Sequence, residues 1–333
     1  MSLPLGKIPV RVLRKILDGL QFDESVIVGP GVGIDAAVLC SRDNIIVSAC
    51  DPITGASKEV GWLSVHVNAN DIAASAAYPR WYIVTLLFPS DAREKDIFDV
   101  MDGIKRALRE VKANLVAGHT ELTNKVRDTI VIGTMIGTPM VRGRYVSNRG
   151  AKLGDAIVMT KGAGIEGTWI LAETFCEKMG LSEDMMRSIR EMKRMISVVR
   201  DAEIALNVGI DNIHAMHDAT EGGVVGAVFE IAEASGVGFR IYEEKIIVRR
   251  ETACIANVLS VDPLRLISSG TLILAVDREV AEELIGLFRS NGLEASIIGE
   301  IVEKDRVLVR RDGREERILE PPVDELWRIL GGN

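Results

Sequence analysis

The sequence is poor in the features that mark the commonest nucleotide, metal and redox sites. Its 333 residues contain no GxxxxGK followed by Ser or Thr, which excludes a P-loop. The four cysteines, Cys40, Cys50, Cys176 and Cys254, include no CxxC pair, so neither a zinc ribbon nor a dithiol redox motif is indicated. Each stands among apolar neighbours and is expected to be a buried thiol in a reducing compartment. The four histidines, His66, His119, His214 and His217, lack metal-type spacing. His214 and His217 are three apart, but on a predicted strand they face opposite sides, so a histidine metal site is not expected. There is no basic excess: 40 Lys and Arg against 48 Asp and Glu leave a net charge of −8, which argues against nucleic acid as the main partner. No apolar run reaches the roughly 18 residues of a membrane span, and the opening MSLPLGKIPVRVLRKIL lacks a signal-peptide core. A cytoplasmic protein with no membrane partner is expected.

What the chain does contain is glycine turns followed by acids. The stretch IVGPGVGIDAAVL, Ile27–Leu39, places Gly29, Gly31 and Gly33 before a single carboxylate, Asp35. Glycines that bare backbone N–H groups make an anion site. A carboxylate beside them makes sense when a cation stands between it and the anion. Around this turn the pattern alternates strands and helices. DNIIVSACD reads as a strand ending at Asp51, EVGWLSVHVNANDIAASAA as an unusually apolar helix, and RWYIVTLLF as a strand. A helix over 91–111 is followed by the short strand ANLVA, the segment GHTEL, and another strand in DTIVIGTMIG. Ser147–Asp155 (SNRGAKLGD) reads as a linker or domain edge. Beyond it come the strand AIVMTK, a helix from Glu166, a long charged helix over 184–207, the strand NIHAMHD, a helix after ATEGG, and a strand–helix–strand series to Val302. These imply two α/β domains, 1–148 and 149–333, with the sheet order left open.

Five acids stand out as metal or catalytic candidates: Asp35, Asp51, Asp71, Glu121 and Asp218. Each of them except Asp71 is read at a turn or strand end, where turn-forming and helix-capping roles compete with function. Asp71 lies with Asn68 and Asn70 inside an apolar helix, and a buried acid there needs a partner. Gly162–Gly167 (GAGIEG) is a literal GxGxxG after a strand. The acidic strand end expected about 20 residues later is absent, which argues against a nicotinamide dehydrogenase. It reads instead as a phosphate-contacting turn, with Lys161 beside it to neutralise charge.

The ordered set GPGVGIDAAV, ACDPIT, VNANDIAASAAYPRW, AGHTEL, GAGIEGT and HDATEGG resembles the aminoimidazole ribonucleotide (AIR) synthase superfamily, the PurM-like proteins. Within it the set looks most like the AIR-synthase-related, hydrogenase-maturation HypE-like branch, with selenophosphate synthetase and thiamine-monophosphate kinase more distant. The resemblance runs over about residues 5–301. It implies a two-domain PurM-like fold, α/β (α+β), with a homodimer formed through the N-terminal domains and a C-terminal α/β sandwich. It implies ATP and Mg2+ as cofactors and phosphoryl-transfer activation of a carbonyl- or amide-type oxygen. Residue by residue, Asp35, Asp51, Asp71 and Asp218 would serve the metal. Asp71, Asp218, His119 and Glu121 would serve catalysis. Gly31, Gly33, Asn68, Asn70, Thr120, Lys161, Gly162, Gly164, Gly222 and Gly223 would serve the nucleotide. Two departures mark this chain. Ile34 stands where many relatives carry a first acid, and no cysteine follows Cys254, where the maturation enzyme ends in a modified cysteine. The chain is therefore expected to act on a diffusible substrate or a group held by another protein; the alternative is a nucleotide-binding maturation partner with little turnover.

Overall fold

The computed structural model describes Lys7 and residues 9–41, 44–54 and 59–331. The chain forms two compact units, and the division is not a single cut. One unit holds Phe22–Gly29 and Ala36–Tyr145; the other gathers the chain up to Gln21, Pro30–Asp35 and the chain from Val146 onward. The glycine turn thus belongs, with helix α1 (Val10–Leu17), to the unit built mainly from the second half of the sequence.

Among the described residues, the first unit is a six-stranded sheet with two helices. Its strands are β1 (Val26–Val28), β2 (Ala37–Ser41), β3 (Asn44–Ile53), β4 (Ala77–Pro89), β5 (Asn114–Thr123) and β6 (Ile130–Pro139), in the order β1-β2-β3-β6-β4-β5. Only the β4–β5 pair is parallel. Helix α2 (Val60–Ala74) is buried at every residue, as its all-round apolar sequence requires. It packs on α3 (Glu94–Val111) at a close crossing: a methyl on Gly61 would strike the Val100 carbonyl. Strand β4 alternates as a half-covered strand should, with Tyr82, Val84, Leu86 and Phe88 buried. Two expectations need correction here. Asp51 is not at a strand end: β3 continues to Ile53, and Asp51 pairs across with Gly133 of β6. GHTEL is no turn but the second half of the edge strand β5, paired with β4 from Gly118 to Leu122, and the strand's residues from Asn114 to Leu122 are all exposed.

The second unit has a seven-stranded, mostly antiparallel sheet. Its strands are β7 (Ala156–Thr160), β8 (Ile213–Asp218), β9 (Gly238–Tyr242), β10 (Leu272–Val276), β11 (Ala295–Val302), β12 (Arg306–Val309) and β13 (Glu315–Arg317), in the order β13-β12-β9-β11-β7-β10-β8. Strands β7 and β10 are buried along their whole length, as strands covered on both faces are. The helices are α4 (Ile165–Met179), α5 (Glu183–Met192), α6 (Val199–Ala205), α7 (Gly223–Ser235), α8 (Arg250–Leu259), α9 (Ala281–Ser290) and α10 (Glu325–Leu330). Helix α7 supplies Val224, Val228 and Phe229 to a core with Ile157, Met159, Phe239 and Ile273.

The expected single helix over 184–207 is broken into α5, a 3-10 turn at Lys193–Met195 and α6. Nor is Ser147–Asp155 a loose linker. The N–H groups of Gly150 and Ala151 donate to the Ser235 hydroxyl, and Asn148 is 2% exposed, so the segment is part of the packed unit.

Candidate active site

Gly33 explains why glycine precedes Asp35. Its φ is +72°, and an added Cβ would sit 2.5 Å from the Glu230 carbonyl of α7. Only a residue without a side chain lets the turn lie this close to the helix backbone. That contact sets Asp35 against the end of β8. Its carboxylate lies 2.7 Å from His217 Nδ1, and Asn148 Nδ2 donates to it at 2.6 Å. Asp218 follows His217 at the end of β8 and is completely buried. One donor atom each of Asp35, His217 and Asp218 lies within 4.8 Å of the others, which brings two carboxylates together beside the turn. Both acids belong to the same unit; Asp51 and Asp71 belong to the other.

His217 is the residue that the strand argument set aside. It is 1% exposed, and its second ring nitrogen, Nε2, lies 2.7 Å from Glu230 Oε2. Burial alone would lower its pKa, but Asp35 and Glu230 outweigh burial and raise it to about 10. Glu230 in turn is pulled down to about 2: burial opposes this, while Lys7 and His217 favour the carboxylate. Lys7 Nζ donates to both Glu230 oxygens, at 2.9 and 3.1 Å. Its backbone N–H donates to Glu221 Oε2 at 2.8 Å. The signal for Glu230 was an acid inside an apolar helix, the same one that singled out Asp71. His214 is the strand's other histidine, and its Nδ1 lies 2.8 Å from Asp155.

In the sheet unit of β1–β6, Asp71, Asn68 and Asn70 are buried on α2. Asn68 has its side-chain amide fully engaged with the main chain: Oδ1 accepts from Asp51 N at 3.0 Å, and Nδ2 donates to the Asp51 and Ser64 carbonyls. It fixes α2 to β3 and has no donor left for a nucleotide. His119, Thr120 and Glu121 are exposed on β5, with His119 Nε2 3.0 Å from Glu121 Oε2.

Several predicted phosphate contacts are closed by the protein itself. Lys161 is buried, 3.0 Å from Asp201, and donates to the Met195 and Ser197 carbonyls, so its ammonium has no proton left for phosphate. The GAGIEG turn is buried. Gly162 N donates to Thr160 O, Ala163 N to Ile247 O and Gly164 N to Ser268 Oγ. At the start of α7, Gly222 N donates to Asp324 Oδ2 at 2.6 Å, and Gly223 N donates to Thr220 O. The anion seat expected at Gly222 and Gly223 therefore already holds a carboxylate of this chain. The cysteines are not buried either: Cys50 is exposed on β3 and the other three are half-buried.

The patterns of two related domain families match this chain. "AIR synthase related protein, N-terminal domain" covers residues 33–138, and "AIR synthase related protein, C-terminal domain" covers residues 152–312. A hydrogenase expression/formation protein of Methanocaldococcus jannaschii is 26% identical over 331 residues, covering 96% of this chain and 95% of that protein. Carbamoyl dehydratase HypE of Escherichia coli K12 is 26% identical over 293 residues, covering 87% and 83%. Among solved structures, a HypE–HypF complex superposes with a TM-score of 0.75 at 22% identity, covering 93% of this chain and 99% of that one. A hydrogenase maturation protein HypE in complex with ATP superposes with a TM-score of 0.69 at 22% identity, covering 96% and 91%. The fold is the two-domain PurM-like fold. No helix among the described residues is long and apolar enough to cross a membrane.

Proposed function

The chain belongs to the AIR synthase related family, and from that premise we propose that it is an ATP- and magnesium-dependent enzyme that activates a carbonyl- or amide-type oxygen by phosphoryl transfer. The observation that carries this reading is the meeting of Asp35, His217 and Asp218 beside a glycine turn. The carboxylate oxygens of Asp35 and Asp218 are hard donors of the kind magnesium takes. When bound, the ion would neutralise charge between these carboxylates and the nucleotide phosphates. The chain's own residues hold the rest of the arrangement. Gly31 and Gly33 present the turn, Asn148 and His217 orient Asp35, and Glu230 fixes the His217 ring. Phosphoryl transfer asks mainly for positioning and charge neutralisation, which fits a site of acids and glycines without a strong nucleophile. His119, Thr120 and Glu121 remain candidate nucleotide contacts, since their exposure leaves them available.

The relative's name, carbamoyl dehydratase, is the reason for choosing an amide-type oxygen. The solved HypE–HypF complex supports a second reading, in which a protein partner presents the group to be activated. A homodimer is part of the proposal. Its candidate surface is the neighbouring pair β4 and β5, where Trp81 of β4 and Leu115, Val116 and Leu122 of the edge strand β5 are exposed. Titration calorimetry tests the core of this reading. ATP should bind with magnesium and at least tenfold more weakly without it, and Asp35→Asn and Asp71→Asn should each weaken binding by a similar factor. Tight metal-free binding, or wild-type affinity in both variants, refutes it.

A further inference from the structure

Helix α1 is held to its unit more by charge than by packing: none of its eight residues is buried. Arg14 pairs with Glu233 of α7. Just ahead of the helix, Lys7 Nζ reaches both oxygens of Glu230, one turn earlier on α7, at 2.9 and 3.1 Å, and the Lys7 backbone N–H donates to Glu221. An exposed ion pair that only tethered a terminus would contribute little. Lys7 differs in where its partner leads. Glu230 Oε2 lies 2.7 Å from His217 Nε2, and His217 Nδ1 lies 2.7 Å from Asp35 Oδ2. A chain of alternating charge thus runs from a half-exposed ammonium, through a mostly buried carboxylate and a fully buried imidazole, to the acid behind the glycine turn.

The His217 ring faces a carboxylate on each nitrogen, so both nitrogens donate and one cation is shared between two acids. With Lys7 in place the four groups balance, two positive against two negative. Without it, Glu230 is a mostly buried acid whose remaining side-chain partner among the described residues is His217. A charge left uncompensated in such a place is costly. The ring is then drawn toward Glu230, and its bond to Asp35 lengthens. Asn148, which donates to the same Asp35 oxygen at 2.6 Å, is a neutral group and cannot replace the lost charge.

We propose that Lys7 is a positioning residue: through Glu230 and His217 it holds the Asp35 carboxylate in its orientation at the site, without itself touching phosphate or metal. The proposal rests on the nucleotide reading only for what Asp35 then serves. Nitrogen–proton correlation spectra of the histidine side chains, taken on the full-length protein without nucleotide, read the His217 ring, whose signals are assigned by their loss in His217→Gln. Lys7→Met should move the Nδ1–H signal, the one facing Asp35, upfield, as a lengthened hydrogen bond does, and Lys7→Arg should restore it. Arg14→Met cuts the other tie of α1 and should leave that signal in place. Mg-ATP titration of the same samples should show binding about tenfold weaker in Lys7→Met, and no further loss when Lys7→Met is added to Glu230→Gln, because the two act in one chain. An unmoved signal in Lys7→Met, an equal movement in Arg14→Met, or a Lys7→Met loss that persists in the Glu230→Gln background overturns the proposal. A signal that moves as expected, in a protein whose wild type binds no Mg-ATP, would sink the nucleotide reading and leave this one standing.

Discussion

Gly33→Ala tests whether the glycine turn is there for the approach of Asp35 to α7. Two costs add. A non-glycine residue held at φ +72° loses about 1–2 kcal/mol. The new Cβ would stand 2.5 Å from the Glu230 carbonyl, a backbone atom that cannot rotate away, so the turn must retreat by a few tenths of an ångström or more. Forced overpacking of this kind costs about 1–3 kcal/mol. The sum, roughly 2–5 kcal/mol, lowers the Tm of a unit this size by about 5–15 °C. Gly31→Ala is the control. Its added Cβ meets only the Ile34 side chain, 3.0 Å away, and its φ is not in the left-handed region. It should shift Tm by less than about 3 °C, as a substitution of about 0.5–1 kcal/mol would. Differential scanning calorimetry gives both shifts, and Mg-ATP titration should show at least a tenfold loss only in Gly33→Ala. Equal, small shifts in the two variants, with ATP binding intact, would refute the reasoning.

Lys161→Met removes one partner of a buried ion pair and leaves Asp201 uncompensated, so it should destabilise by about 3–5 kcal/mol in urea titrations. A phosphate-binding Lys161 would instead cost nucleotide affinity with little loss of stability. Glu166 and Asp324 are acids whose folded pKa values are raised to about 7 and about 6, first by burial and then by neighbouring acids, Glu221 among them. A raised carboxyl pKa favours the folded state only while the group is protonated, so stability falls as pH climbs from about 4 to 7 and then levels off. Glu166→Gln should flatten that decline, gaining about 1–3 kcal/mol at pH 8 and nothing at pH 4; an unchanged pH profile of Tm would count against the assignment. Leu115→Lys with Val116→Lys should turn a sedimenting dimer into a monomer at micromolar concentration, and a wild-type monomer would dispose of the β5 interface.

Much of the fold is legible because burial leaves a direct mark on composition. An apolar helix carrying Asn68, Asn70 and Asp71 reads as a helix buried all round, and α2 is one. The apolar, β-branched run RWYIVTLLF reads as the strand that β4 forms. What is not legible depends on partners remote in sequence. Asn68 looks like a ligand until β3 supplies the main-chain groups that use its amide. Lys161 looks like a phosphate contact until Asp201 is found beside it. His217 was set aside because period-two geometry compares it only with His214, and its actual partners come from a turn and from a helix. GAGIEG satisfies a pattern whose physical content, free N–H groups, is cancelled by Ser268 and Ile247.

The placement of Pro30–Asp35 in the unit formed mainly after Val146 has a consequence for synthesis. Asp35 leaves the ribosome long before His217, and at ~5–20 residues per second the delay over these roughly 180 residues is on the order of 10–40 s. The neighbouring hairpin of β2 and β3 can form meanwhile, since its contacts are local. The turn between β1 and β2 must then wait, carboxylate exposed, until α7 arrives to receive it. Translation speed through β8 and α7 is thereby set against the lifetime of a half-made site, and a holdase bound to the nascent turn would lengthen that lifetime without touching the finished protein.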